Sequence, residues 1–107
     1  MNAEKPGPIR FSVKKSDKVV LLEFELERPL EPKDLKHINP PDAVKNKFAN
    51  KLVILSGRGP IWLYAYLIEF YHPVKAIATF DPRIGKAIVV SSHSPDYSPG
   101  DLIDIPD

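Results

Sequence analysis

Apolar and polar residues alternate from Ile9 to Lys15 with the period of a half-buried strand, and Ser16-Asp17-Lys18 then supplies turn chemistry. Val19 to Leu26 opens with four consecutive apolar residues and goes on to alternate as Phe24 and Leu26. The two segments predict a hairpin whose second strand is buried on both faces at its start. Pro29 and Pro32 end that strand, and Pro32 can open a short helix carrying Asp34, Leu35 and Ile38 that Asn39-Pro40-Pro41 must stop. Residues 39–50 read as loop or weak helix. Leu52 to Leu55 is a short apolar run, Ser56-Gly57-Arg58-Gly59 breaks it, and Pro60 suits the first position of a helix running from Ile61 to His72 before Pro73. Ala76 to Phe80 predicts another strand, Asp81-Pro82-Arg83-Ile84-Gly85 a turn, and Lys86 to Ser91 the strand returning from it. Residues 92–100 are turn-rich, and Leu102 to Ile105 suits a small edge strand.

The resulting order, β-β-α-β-α-β-β, predicts an α/β sandwich in which residues 52–80 form one right-handed βαβ unit with parallel strands. Ligands in such sheets sit beyond the carboxyl ends of the strands. Ser56–Gly59 and Asp81–Arg83 both follow those ends, so the expected pocket lies where these two loops meet. The helix over 61–72 is apolar nearly all round, with Glu69 and His72 its only charged or titratable side chains besides tyrosines. It needs cover on more than one side, from a second copy of the chain or from the proline-rich segment 27–50.

Composition narrows this picture. With 107 residues, the chain is expected to form a single domain over 1–107, and 43% hydrophobic against 27% charged residues is the balance of a folded protein. There is no cysteine, so thiol nucleophiles and thiolate metal sites are excluded, and any metal must be held by His, Asp or Glu. The first residues carry no charged-then-apolar leader pattern and no run approaches the roughly 20 residues of a membrane helix, which predicts a cytoplasmic protein without a membrane anchor. Glutamine is absent and proline occurs 12 times, a usage that leans toward a heat-adapted host. The net charge of +1 excludes a broadly basic surface of the kind that holds long nucleic acid such as DNA. The charge is uneven, however. Through Arg58 there are 12 Lys/Arg against 8 Asp/Glu (+4), and after it 3 against 6 (−3), an asymmetry that is either accidental or a basis for head-to-tail attraction between subunits.

Several residues can carry chemistry. Ser56, Gly57, Arg58 and Gly59 precede a helix whose first N–H groups and dipole favour anions, so they are candidate phosphate binders. The spacing and lysine of a P-loop are missing, which disfavours ATP hydrolysis. Glu69 and His72 stand three residues apart on one helical face and can bind a metal or form an ordinary surface pair. Asp81 and Arg83 either serve a site at the strand end or pair locally in their turn. His93 leaves the strand over 86–91 at the end opposite the Asp81 turn, which is expected to keep it from His72 within one subunit.

The segment from Ser56 to Tyr64, then His72, Thr79-Phe80-Asp81-Pro82-Arg83-Ile84-Gly85 and Ser92-His93-Ser94-Pro95 resemble the small CRISPR-associated family called Csx-three. The resemblance is strongest from Leu52 to Asp101. It implies a small Rossmann-like fold with a mixed sheet, distantly related to the sensor domains that bind cyclic oligoadenylate. It implies a metal-dependent ring nuclease that degrades cyclic tetra-adenylate with manganese and so ends a type III antiviral signal. The same family is described as a 3′-end exoribonuclease favouring adenosine tails, which makes short RNA the alternative substrate.

Carried over by position, His72 matches the essential histidine and Asp81 and Arg83 the Asp-Pro-Arg turn. Asp81 would be a metal ligand or general base, His72 a metal ligand or proton-transfer group, and Arg83 the clamp on phosphoryl charge. Glu69 stands where some relatives have a second histidine, and the metal candidates are His72, Asp81, Glu69 and His93. The family implies homodimers stacked head to tail into a tetramer around the cyclic ligand, with site residues from different subunits. A module that binds the nucleotide without cleaving it is the rival reading, and a purely structural subunit a third.

Overall fold

The alternation over 9–15 and the apolar run that follows it become a hairpin in the computed structural model, which describes residues 7–106. The termini of the expected 1–107 domain, including the residues in which a leader pattern was sought, lie outside the described residues. Strand β1 (Ile9–Lys15) pairs antiparallel with β2 (Val19–Leu26), from Ile9 opposite Leu26 to Lys15 opposite Val20. Ile9, Phe11 and Val13 pack toward the core, while Arg10, Ser12 and Lys14 alternate onto the other face. Strand β3 (Leu52–Gly57) lies parallel to β2, and β4 (Ala76–Asp81) parallel to β3, with helix α1 (Ile61–Phe70) crossing between them. Strands β5 (Lys86–Ser92) and β6 (Leu102–Ile103) complete a six-stranded mixed sheet whose spatial order is the chain order.

Both crossovers pack on one face of the sheet. Ile38 and Phe48 from the first and Leu63, Leu67 and Tyr71 from the second share a core with Val20, Leu22, Phe24, Val53, Leu55 and Ile77. The opposite face holds Leu21, Leu52, Ile54, Ala76, Ala78, Ala87 and Val89, with Tyr97, Ile103 and Ile105 of the returning tail packed against them. Backbone bonds from Gly100 N–H to Val89 O and from Val89 N–H to Asp101 O, both 2.9 Å, fix that tail. Among the described residues the fold is therefore α/β with one α-helix, and the strand order nowhere reverses to make the crevice of a doubly wound sheet.

The first predicted helix is instead a 3₁₀ turn, Pro32–Lys36. Prolines bound it too closely for an α-helix to propagate, and its geometry serves an ion pair. Asp34, buried to 6% exposure, accepts two 2.9 Å bonds from the Arg28 guanidinium and a 2.7 Å bond from Glu31 N–H. These donors hold its carboxyl well below the usual carboxylate range. A carboxyl with a lowered folded-state pKa stabilises above its unfolded value, near 4, and the gain fades as acid protonates it. The first crossover should thus be acid-sensitive.

Helix α1 ends two residues earlier than expected, at Phe70, because Pro73 disfavours helical geometry at His72. Leu63 and Leu67 are its fully buried side chains. The proline-rich segment covers the helix's carboxyl end, where the Tyr71 hydroxyl donates to Pro41 O at 2.7 Å and its ring meets Phe48. At the amino end Ile61 stays 85% exposed. Among the described residues no helix is long and apolar enough to cross a membrane.

Because the strands follow chain order, the positive and negative halves lie on opposite lateral sides of the sheet. The charge asymmetry runs across the strands rather than along them. It therefore gives no support to end-to-end stacking.

Candidate functional site

The loop after β3 is shaped by packing as much as by any ligand. A Cβ on Gly57 would sit 2.4 Å from Phe24 O, so only glycine permits this approach of β3 to β2. Gly57 N–H donates to the Tyr64 hydroxyl at 3.1 Å, and that hydroxyl donates to Gly57 O at 2.6 Å. Both main-chain polar groups of Gly57 are thus engaged by Tyr64. Burial pushes the Tyr64 phenol up, so it stays a donor at neutral pH. Pro60 is the residue before the first helical turn rather than its first member. Replacing Gly57 with alanine should cost about 1–3 kcal/mol by forcing β2 and β3 apart. Urea unfolding of G57A beside the parent checks this, and an unchanged midpoint would show that the strands separate freely.

Arg58 is exposed in the loop after β3. It lines a groove of about 710 Å³ with Arg10, Ser12, Glu23 and Glu25 of the first hairpin, so the pocket expected between the two loops is displaced toward β1 and β2. The reason lies in the lateral order, which sets β2 beside the Ser56–Gly57 end of β3.

Asp81 closes β4 and begins the turn into β5. Its carboxylate accepts from Arg83 N–H at 2.9 Å, Arg83 Nε at 3.2 Å and Arg83 Nη2 at 2.9 Å, while Gly85, at φ +77°, donates its N–H to Asp81 O at 2.8 Å. The Arg83 guanidinium and N–H hold the Asp81 carboxyl below its ordinary range. The Asp81 side chain is 20% exposed and that of Arg83 87%, so the pair is open to an incoming anion.

The histidines stand elsewhere. Helix α1 runs back along the sheet, delivering His72 to the end where β4 begins, and β5 delivers His93 to that same end. Their rings meet edge to face with centroids 4.9 Å apart, and His93 Nε2 lies 2.9 Å from His72 O. A carbonyl only accepts, so His93 Nε2 is the donor in this contact. His93 does leave at the end opposite Asp81, yet it reaches His72 within one chain, because the helix returns to that end too. Glu69 is exposed one turn earlier, its carboxylate without a hydrogen-bond or salt-bridge partner among the described residues.

The candidates are thus split. His72, His93 and Glu69 lie at one end of the sheet and Asp81 and Arg83 at the other, separated by the length of β4, roughly 17 Å for a six-residue strand. Across that distance Asp81 cannot share one ion with His72, Glu69 or His93 of the same chain.

These residues fall inside a family match. The family described as CRISPR-associated protein (Cas_csx3) matches residues 23–104, a span that includes both ends of the sheet. The chain belongs to this family. It is also 67% identical over 96 residues to an uncharacterized protein of Aquifex aeolicus (strain VF5), covering 89% of this chain and 86% of that protein. The Cas_csx3 match starts at Glu23, so Arg10 and Ser12 of the groove precede it. The groove's hairpin wall and the Tyr64 lock on Gly57 are features that the sequence reading missed. The alternation of β1 placed Arg10 and Ser12 on one face, but only the β2–β3 register brings that face beside Arg58.

Proposed function

We propose that this Cas_csx3 protein is a ring nuclease that cleaves cyclic tetra-adenylate in a site shared by two chains. The observation that carries the reading is the division of its chemistry between opposite ends of one sheet, histidines at one and the Asp81–Arg83 turn at the other. Two chains set end to end would join these halves in one cleft, as the stacked dimers of the resembled family do. In that cleft Arg83 turns from Asp81 to a phosphodiester oxygen and balances its developing charge. Asp81, released from the guanidinium, becomes more basic and accepts the proton of the attacking hydroxyl, while His72 gives a proton to the leaving oxygen. Manganese belongs to the same proposal: His72 of one chain and Asp81 of another offer the nitrogen and oxygen donors it accepts, and the ion would add Lewis-acid stabilisation of phosphoryl charge. The protein would act in the cytoplasm, where such a messenger is made.

Incubation with cyclic tetra-adenylate, with and without manganese, followed by chromatography tests this reading, and linear products are expected with the metal. An intact ring together with 3′-end shortening of an adenosine-tailed RNA would establish the exoribonuclease instead. A ring bound but uncleaved would leave a binding module. Arg58→Ala should weaken ring binding roughly tenfold or more, the worth of a charged hydrogen bond, with the loss in affinity rather than in the single-turnover rate at saturation. A rate loss at saturation without an affinity change would remove Arg58 from substrate binding.

A further inference from the structure

Strand β5 carries one residue more than its pairing with β4 needs. Along that ladder Ala78 stands opposite Val89, but the next pair is Ile77 with Ser91, so Val90 is the extra residue of a β-bulge. Directly opposed residues share a face of the sheet, and one inserted residue reverses the alternation that follows it. Val89 lies with Ala78 on the face that the tail covers, whereas Ser91 lies with Ile77 on the face of α1. Ser92 then stands opposite Ala76 on the tail's face, and His93 comes next, on the side of α1. Without the bulge His93 would be carried to the other face, away from the end of the helix. The bulge therefore aims His93 at His72.

His93 is held firmly once it arrives. Its N–H donates to Lys75 O at 2.9 Å and its ring Nε2 donates to His72 O at 2.9 Å, so one residue grips the turn after α1 at both His72 and Lys75. Its neighbours are fixed as well: the Ser92 hydroxyl donates to Ser94 O at 2.9 Å and accepts from Ser94 N–H at 3.1 Å, and Lys75 pairs with Asp96 at 2.9 Å in the loop beyond. His72 is the opposite case. It is exposed, and among the described residues neither of its ring nitrogens has a hydrogen-bond partner. Among those residues its one aromatic neighbour is His93, at 4.9 Å between centroids and 85° between planes, the geometry of a favourable edge-to-face pair.

An exposed side chain without partners turns among its rotamers, and a group that must act on a bound substrate works from only one of them. We infer that His93 is a positioning residue, which fixes the His72 imidazole by ring contact and the backbone beneath it by two hydrogen bonds, and that the bulge at Val90 is the device that delivers it. The inference rests on the ring-nuclease reading for the use made of His72, but its spectroscopic test needs no substrate. It gives His93 a task other than that of a metal ligand. A ligand or proton carrier must keep an imidazole, whereas a support must keep only a flat group with a donor in the place of Nε2.

The test begins with NMR of the whole protein at a single pH. The carbon-bound ring protons of His72 and His93 should share a cross-relaxation peak, and His93→Ala should move the His72 ring signals toward those of a freely turning histidine. Kinetics follow. His93→Ala should slow single-turnover cleavage of cyclic tetra-adenylate at saturation roughly ten- to a hundredfold, the cost of a misplaced group, with affinity for the ring unchanged. His93→Gln is the deciding variant: its flat amide keeps a donor for His72 O but neither ligates nor transfers a proton as an imidazole does, so it should cleave at close to the parent rate. Should His93→Ala fail to fold, the parent's cross-peak and the rate of His93→Gln still decide. No cross-peak, His72 signals unmoved by His93→Ala, undiminished cleavage by His93→Ala, or a His93→Gln variant slowed about tenfold or more would each overturn the inference. A cross-peak that His93→Ala abolishes in a protein that leaves the ring intact would sink the ring-nuclease reading while the positioning of His72 stands, and ring cleavage indifferent to His93 would sink the positioning alone.

Discussion

Asp81→Ala is expected to lower the rate of cyclic tetra-adenylate cleavage by at least about a hundredfold, the usual contribution of a positioned acid or base, while leaving the protein folded. The contacts that Asp81 makes are local and exposed: three bonds to Arg83, two residues along the same turn. Exposed ion pairs between neighbours in one turn contribute little to stability. Asp81→Asn sharpens the result, since its amide oxygen can still accept from Arg83 N–H and keep the turn while losing the negative charge. Cleavage rates for both variants, read beside thermal unfolding, check the prediction. If the alanine variant turns over at the parent rate while folded, Asp81 has no part in the chemistry and the turn is only a turn.

The parts of the fold legible in the sequence were those fixed by local pattern. Alternation over Ile9–Lys15, the apolar run of Leu52–Leu55 and the Asp81–Gly85 turn each carried their own signal, and each became the predicted element or its core. The Pro32 segment misled because a proline permits a helix start without supplying the length that an α-helix needs, and the Arg28–Asp34 pair that settles the turn is a contact between side chains. The candidate site was legible as a set of residues but not as an arrangement. That His93 departs from Asp81 followed from antiparallel pairing alone, whereas its meeting with His72 depends on where the helix ends. Likewise Arg58 was visible as a cation after a strand, but its groove depends on β1 and β2, more than 30 residues earlier in the sequence. The glycines misled in a third way. Gly57 looked like room for a phosphate and is room for the Phe24 main chain.

Mixing two inactive variants should restore activity, because the division of the site between sheet ends makes complementation possible in only one kind of assembly. His72→Ala spoils the histidine end of its chain and leaves the Asp81 turn intact, and Arg83→Ala does the reverse. Within one chain those ends are separated by the length of β4, so neither variant can supply its own missing half. Where chains meet end to end, a junction between the turn of a His72→Ala chain and the histidine end of an Arg83→Ala chain contains every group. With equal amounts and random assembly about one junction in four is of this kind, so recovered activity should approach a quarter of the parent's from two near-inactive samples. Subunits must exchange, or assemble afresh on the ligand, which size measurement on differently tagged chains verifies. Addition of a doubly substituted chain, His72→Ala with Arg83→Ala, to the parent protein gives the control: it should dilute activity and restore nothing. Mixed assemblies that remain at the single-variant background would mean that His72 and Arg83 do not serve a common site between chains, and the end-to-end site would have to be abandoned.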